Sequence, residues 1–160
     1  MIQNNSKSEE MEYLNGDVYI GASLDKKRDG FGVYKSHFGS KYIGNFKKDN
    51  RNGLGLEIFN ESEAYFGEWK NNYFNGKGRY VFSNGDIYEG MFKNDKRNGW
   101  GVYKSKGGHI YEGQWKDDLK DGYGSYTFDD GTKYEGEYKD DMRVGNGYFK
   151  FPNGKIQYDE

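Results

Sequence analysis

The feature that most narrows what this chain can fold into is a period. Tyr-x-Gly occurs at Tyr19/Gly21, Tyr42/Gly44, Tyr65/Gly67, Tyr88/Gly90, Tyr111/Gly113 and Tyr134/Gly136, each start 23 residues after the one before. Gly-x-Gly follows in every unit, at Gly30/Gly32, Gly53/Gly55, Gly76/Gly78, Gly99/Gly101, Gly122/Gly124 and Gly145/Gly147. Two positions further on stand Tyr34, Glu57, Tyr80, Tyr103, Tyr126 and Phe149, aromatic in every unit but the second. Another glycine opens most units (Gly16, Gly39, Gly85, Gly108 and Gly131), with Ser62 the exception. Self-similarity at a fixed period of this length marks a stacked array of small units, each too small to bury a core alone.

Within a unit the alternation is that of strands. "YEGQW" (111–115) places Tyr111, Gly113 and Trp115 on one face, and "GYGSYTF" (122–128) places Gly122, Gly124, Tyr126 and Phe128 on one face. A stretch rich in Asp, Asn, Lys and Gly lies between them and reads as a turn, so the unit is a β-hairpin. Glycine inside a strand normally weakens it, and six paired copies imply that bare backbone makes room for rings. The rings available are the tyrosines and the aromatic at the fifth position of each unit (Phe46, Trp69, Phe92, Trp115 and Tyr138, with Ser23 the exception). The fold class expected is therefore all-β: an elongated, twisted antiparallel sheet of tandem hairpins, solenoid-like, with an aromatic stripe for a core. Two strands per unit at about 4.8 Å give roughly 10 Å per repeat.

Composition supports this and excludes other classes. Only 33% of the chain is hydrophobic, yet 19% is aromatic, and disordered chains are poor in aromatics. Zero cysteines leave no disulfide framework and no thiolate metal site. A net charge of -2 offers no global attraction for phosphate backbones, so nucleic acid is not an expected partner. No apolar stretch approaches the ~18 residues of a membrane span, and no secretory signal is visible, which makes the cytoplasm the expected compartment.

The same pattern holds no catalytic or metal-binding motif. His37 and His109 occupy different slots and lack the companions of a zinc motif. "KDNRNG" begins with Lys48 and reaches Phe59 at the twelfth position, which rules out a calcium loop. Position six after Gly99 is Lys104, so the Gly-x-Gly pairs are not dinucleotide fingerprints. No enzyme activity and no cofactor are expected.

Tyr-x-Gly-x-aromatic, a short turn and Gly-x-Gly-x-aromatic, in units such as "YEGMFKNDKRNGWGVYKSKGG", resemble the MORN (membrane occupation and recognition nexus) repeat family. The resemblance implies six repeats, 16–38, 39–61, 62–84, 85–107, 108–130 and 131–153, and a groove that holds a partner's helix or extended segment. On it, Tyr42, Tyr65, Trp69, Tyr88, Phe92, Tyr111, Trp115 and Tyr134 line the groove. The family usually has a glycine five places after each Tyr-x-Gly glycine. This chain has Lys26, Asp49, Asn72, Asp95, Asp118 and Asp141 there, and Asp and Asn tolerate left-handed backbone, Lys26 least comfortably. Residues 11–15 are expected to form a capping strand, 154–160 a partial cap and 1–10 a disordered tail.

The other face changes character along the chain. The residue after each leading tyrosine runs Ile20, Ile43, Phe66, then Glu89, Glu112, Glu135. With Leu54, Leu56 and Trp100, the apolar members suggest a second interface, to a partner or to a second copy in a homodimer. The family resemblance implies a non-enzymatic scaffold for a cytoskeletal, ciliary (radial-spoke or axonemal) or cortical partner. The alternative it carries is a peripheral phosphoinositide binder, using basic clusters at Lys26/Lys27/Arg28, Lys47/Lys48, Lys96/Arg97 and Lys104/Lys106.

Overall fold

The computed structural model describes residues 7–159, and these form fourteen strands. They are β1 (Lys7–Glu12), β2 (Val18–Leu24), β3 (Lys27–Lys35), β4 (Lys41–Lys47), β5 (Asn50–Asn60), β6 (Glu63–Lys70) and β7 (Tyr73–Val81). The second half adds β8 (Ile87–Lys93), β9 (Lys96–Lys104), β10 (Ile110–Lys116), β11 (Leu119–Thr127), β12 (Lys133–Lys139), β13 (Met142–Lys150) and β14 (Ile156–Asp159). All pair antiparallel in strict chain order within one sheet, and β1 and β14 are its edges.

The turn inside each repeat is shorter than its polar sequence suggests. Only two residues bend: Asp25–Lys26, Lys48–Asp49, Asn71–Asn72, Asn94–Asp95, Asp117–Asp118 and Asp140–Asp141, all with positive φ. That is the type I′ geometry whose twist matches paired strands. Lys26 adopts it at φ 60, as do its Asp and Asn counterparts. The rest of the polar stretch belongs to the second strand, where the first glycine of Gly-x-Gly (Gly99, φ 101) sits in a bulge. The bulge's unpaired backbone is served from across the hairpin. Glu68 Oε1 accepts the Lys77 N–H at 3.0 Å and Gln114 Oε1 the Tyr123 N–H at 2.9 Å.

The turns also explain why Asp or Asn stands where glycine would be conformationally easiest. Asp118 Oδ1 accepts the Arg97 backbone N–H at 2.9 Å while the Asp118 N–H donates to the Arg97 carbonyl at 3.1 Å. Asp49, Asn72, Asp95 and Asp141 make the same reciprocal pair with Arg28, Arg51, Phe74 and Lys120. From the second repeat on, each turn is thus clamped to the repeat before it.

The core is the expected aromatic stripe. Each leading tyrosine folds over the glycine pair of its own hairpin, and in all but Tyr134 its hydroxyl donates to the carbonyl three residues on, as in Tyr88 to Met91 at 2.9 Å. The fifth-position ring then stands edge to face between two successive tyrosines. Trp69 is 5.2 Å from Tyr42 and 5.3 Å from Tyr65, and Phe92 is 5.2 Å from Tyr65 and 5.0 Å from Tyr88, all at 87–88°. The zigzag runs unbroken from Tyr19 to Tyr138. Each such pair contributes about 0.5–1.5 kcal/mol beyond its buried area. The two core tryptophans that have the slot, Trp69 and Trp115, also donate to the Gly55 and Gly101 carbonyls of the preceding repeat.

The N-terminal bounds differ from the sequence reading. The leading strand is Lys7–Glu12, not 11–15, because residues 13–17 are taken up by a turn in which the Tyr13 N–H donates to the Asp17 carbonyl. Residues 7–10 of the expected tail are therefore strand, and 1–6 lie outside the described residues. Where Ser62 replaces the opening glycine, no left-handed residue is used. The turn tightens to Glu61–Ser62 and Asn60 Oδ1 accepts the Ser62 N–H. At the far end β14 pairs with β13, Gln157 standing opposite Phe149 in the slot of a leading tyrosine.

A Cβ on Gly101 would lie 2.3 Å from the Tyr88 hydroxyl and 2.5 Å from its ring, whereas one on Gly107 would meet nothing closer than 3.7 Å. Gly101→Ala should therefore cost about 3 kcal/mol or more in urea unfolding, and Gly107→Ala less than about 0.5 kcal/mol.

Candidate functional site

The burial pattern assigns the rings expected to line a groove to the core. Tyr42, Tyr65, Trp69, Tyr88, Phe92, Tyr111, Trp115 and Tyr134 are all at most 5% exposed. They are core, held under the layer above, and offer no side-chain surface to a partner beyond the floor of small hollows. What faces outward on the same side is a second layer, drawn from the second strand of each hairpin and from the approach to the first.

Three slots of the 23-residue period build that layer. The first carries a cation: Arg28, Arg51, Arg97, Lys120 and Arg143 lie over core rings, with Arg51 4.3 Å from the Trp69 centroid and Arg97 4.3 Å from Trp115. Arg28 and Arg97 are fixed there by Asp49 and Asp118 of the next turn. The second slot carries the aromatic after Gly-x-Gly. The third, two residues before each leading tyrosine, carries an acid in three repeats. Tyr34 donates to Asp17, Tyr80 to Glu63 at 2.6 Å and Tyr103 to Asp86 at 2.5 Å.

These pairs set the local electrostatics. The Tyr103 hydroxyl and the Lys106 N–H hold the Asp86 carboxyl below its ordinary range, and Tyr34 with His37 does the same for Asp17. His37 Nδ1 lies 2.7 Å from Asp17 Oδ1, so this histidine belongs to the layer and not to a bare loop. Burial first, and the Asp86 carboxylate second, push the Tyr103 phenol up to about 12. In the second repeat Glu57 replaces the ring and binds Arg51, while desolvation raises its pKa. In the fifth, His109 replaces the acid, and its buried Nδ1 has no partner.

The third repeat breaks the cation row. Phe74 stands in that slot and stacks on Tyr65 at 3.8 Å. Around it Phe59, Tyr80, Phe82 and Tyr103 form a run of half-buried rings, linked at 5.9 Å (Phe59–Tyr80), 4.6 Å (Tyr80–Phe82) and 5.7 Å (Phe82–Tyr103). Phe59, Phe74, Tyr80 and Phe82 have no cation above them among the described residues, and the run ends at Tyr103, where Arg97 lies 5.5 Å from the ring centroid. It is flanked by a hollow of about 320 Å³ between Arg28 and Glu57 and one of about 410 Å³ between Arg97 and Lys120. The cation, acid and Phe74 slots follow the same period as the tyrosines, and that period was the signal by which the sequence could have disclosed them.

On the opposite face the pairing register places Ile20, Val33, Ile43, Leu56 and Phe66 side by side across five strands. Leu54 lies in the adjoining row, and Trp100 stands two repeats away. Phe66, Leu54 and Trp100 are each at least half exposed. Among the described residues no group of three or more His, Asp or Glu side chains could hold a metal ion, and no helix is long and apolar enough to cross a membrane.

A family model for the MORN repeat matches residues 19–37, 42–61, 65–87, 88–110, 111–133 and 134–156. No curated protein matches the chain. Among solved structures, the SAS-4 (dCPAP) TCP domain of Drosophila melanogaster, in complex with a proline-rich motif of Ana2 (dSTIL), shares the fold. It has a TM-score of 0.62 and 17% identity over 99% of this chain and 87% of that one. The G-box domain of the microcephaly protein CPAP, whose structure is described as suggesting a role in centriole elongation, matches with a TM-score of 0.50. Its identity is 13%, over 94% of this chain and 84% of that one.

Acid titration tests the tyrosine–carboxylate layer. Asp17 and Asp86 have folded pKa values below the unfolded value near 3.8. Their stabilisation is complete above that pH and is lost as the pH falls below it. Between pH 4 and pH 2 the urea midpoint of the wild type should drop more steeply than that of an Asp17→Asn/Asp86→Asn variant.

Proposed function

Because the chain belongs to the MORN repeat family, we propose that it is a non-enzymatic interaction scaffold that binds an extended segment of another protein across its ring face. The observation that carries this reading is Phe74. By replacing the cation of the other repeats, it leaves Phe59, Phe74, Tyr80 and Phe82 as an uncapped aromatic run at the middle of the sheet.

The pitch of the sheet favours a polyproline-like occupant. Successive hairpins are two strands, about 9.6 Å, apart, and a polyproline II segment repeats its face every three residues, about 9.3 Å. A segment lying across the strands would therefore present an equivalent side chain to each repeat. Rings with fixed hydroxyls are suited to it, since a preformed extended helix loses little entropy on docking against aromatic walls. The SAS-4 domain, solved with a proline-rich motif, is the precedent from which we extend this ligand class to the present chain.

For the partner we favour a component of the cytoskeleton, of a cilium in a radial-spoke-like assembly, or of the cell cortex, on the precedent of the family. The row of Ile20, Ile43, Leu56 and Phe66, with Leu54 beside it, is proposed as a second contact surface. Phosphoinositide binding is the weaker reading. Of the basic clusters it would use, Arg28 and Arg97 are already spent on the carboxylates and carbonyls of Asp49 and Asp118.

The test is fluorescence anisotropy with a labelled peptide carrying proline at every third residue. Phe74→Arg installs the residue type found in the other repeats, and it should weaken binding about tenfold, the scale of one lost aromatic anchor. Equal binding by wild type and variant, or none by the wild type, would refute the reading.

A further inference from the structure

On the face opposite the rings, the residue after each fifth-position aromatic is a lysine: Lys47, Lys70, Lys93, Lys116 and Lys139. These stand on the first strand of successive hairpins, about 9.6 Å apart. In the sixth repeat Lys139 Nζ donates to Asp121 Oδ2 at 2.6 Å. The slot held by Asp121 recurs with the period as Asp29, Asn52, Asn75 and Asn98. The residues that would neutralise Lys70, Lys93 and Lys116 in the same geometry are therefore amides, and none of the three lysines forms an ion pair among the described residues.

Between Lys70 and Lys93 lies a hollow of about 560 Å³. Its side-chain lining includes both lysines, the amides of Asn71, Asn75, Asn94 and Asn98, and Tyr73, while the Glu68 carboxylate beside Gly76 at its edge accepts the Lys77 N–H. One repeat along, a second hollow of about 670 Å³ between Lys93 and Lys116 contains Trp100, half exposed, and has Asp117 and Asp121 in its lining. The first hollow thus offers cations and neutral donors, and the second an indole with carboxylates nearby. Carboxylate binding fits only the first.

We propose that this face receives an extended acidic segment of a partner protein. One of its carboxylates enters the Lys70–Lys93 hollow, and an apolar side chain three residues away packs on Trp100. In a polyproline II-like segment three residues span about 9.3 Å and return a side chain to the same face, close to the offset of about 9.6 Å between successive repeats. Charge complementarity selects a narrow ligand over a flat one. Glu112 and Glu135 lie on the same face, four residues along the strand from Lys116 and Lys139, or about 13 Å. An anionic membrane resting on the lysine row would press on them as well.

The probe is a labelled serine/glycine peptide with one central glutamate and a leucine three residues to either side, which serves either chain direction. The wild type should bind it. Lys93→Gln and Asn75→Asp, the second of which restores the acid seen at Asp121 without removing a lysine, should each weaken binding about tenfold, as should a glutamine-for-glutamate probe. All these positions are on the surface, and circular dichroism verifies that the variants fold. No binding by the wild type, or unchanged affinity in Asn75→Asp, overturns the proposal. So does a lysine-dependent preference for phosphatidylserine vesicles over the peptide, which would make this a membrane surface.

Discussion

Everything in this sheet depends on a ring lying flat on bare backbone. Each leading tyrosine covers two glycines of its own hairpin, at distances that leave no room for a single extra carbon. Its hydroxyl, no longer in water, is served by the carbonyl three residues on in five repeats; Tyr134, in the sixth, has no partner. The next ring can then stand edge to face between two tyrosines and join one hairpin to the following one. A chain that is one-third hydrophobic folds because its apolar surface is concentrated in these few slots. The clamped turns add a second, independent link between neighbours, since each Asp or Asn exchanges two hydrogen bonds with the strand before it.

With the core repeated, individuality is left to the slots that the core does not use. The cation slot is occupied in every repeat but the third, where Phe74 opens the aromatic run. The acid slot holds Asp17, Glu63 and Asp86 but changes to Ser40, His109 and Thr132 elsewhere. On the other face, apolar residues give way to glutamates halfway along, and the residue facing the lysine ladder changes from acid to amide in the middle repeats. A scaffold of near-identical units becomes specific through such departures, because they alone break its translational symmetry.

The period made the architecture legible. Tyr-x-Gly and Gly-x-Gly at one spacing fixed the hairpin, the face of the rings and the order of the strands. The rings expected to line a groove are buried, for a physical reason: large aromatic residues on one face of a strand mark burial as readily as binding, and the sequence does not say which ring lies beneath another. Tyr88 and Tyr103 look alike in sequence, yet one is sealed over glycines and the other is half-buried, donating to Asp86. The two-residue turn was likewise hidden within a longer polar stretch, because Lys, Asp and Asn continue into the bulged strand. Ile20, Ile43, Leu56 and Phe66 were easier to place, since alternation and register alone bring them together.

The division between a sealed inner ladder and an accessible outer layer is the central claim, and it can be read directly by tyrosine footprinting of the folded protein, with modified sites identified by mass spectrometry. Tyr42, Tyr65, Tyr88 and Tyr111 should remain unmodified while Tyr73, Tyr123 and Tyr158 react fully and Tyr80, Tyr103 and Tyr126 react partially. Reaction of the leading tyrosines at rates comparable to Tyr103 under native conditions would contradict the account and return the binding surface to the inner rings.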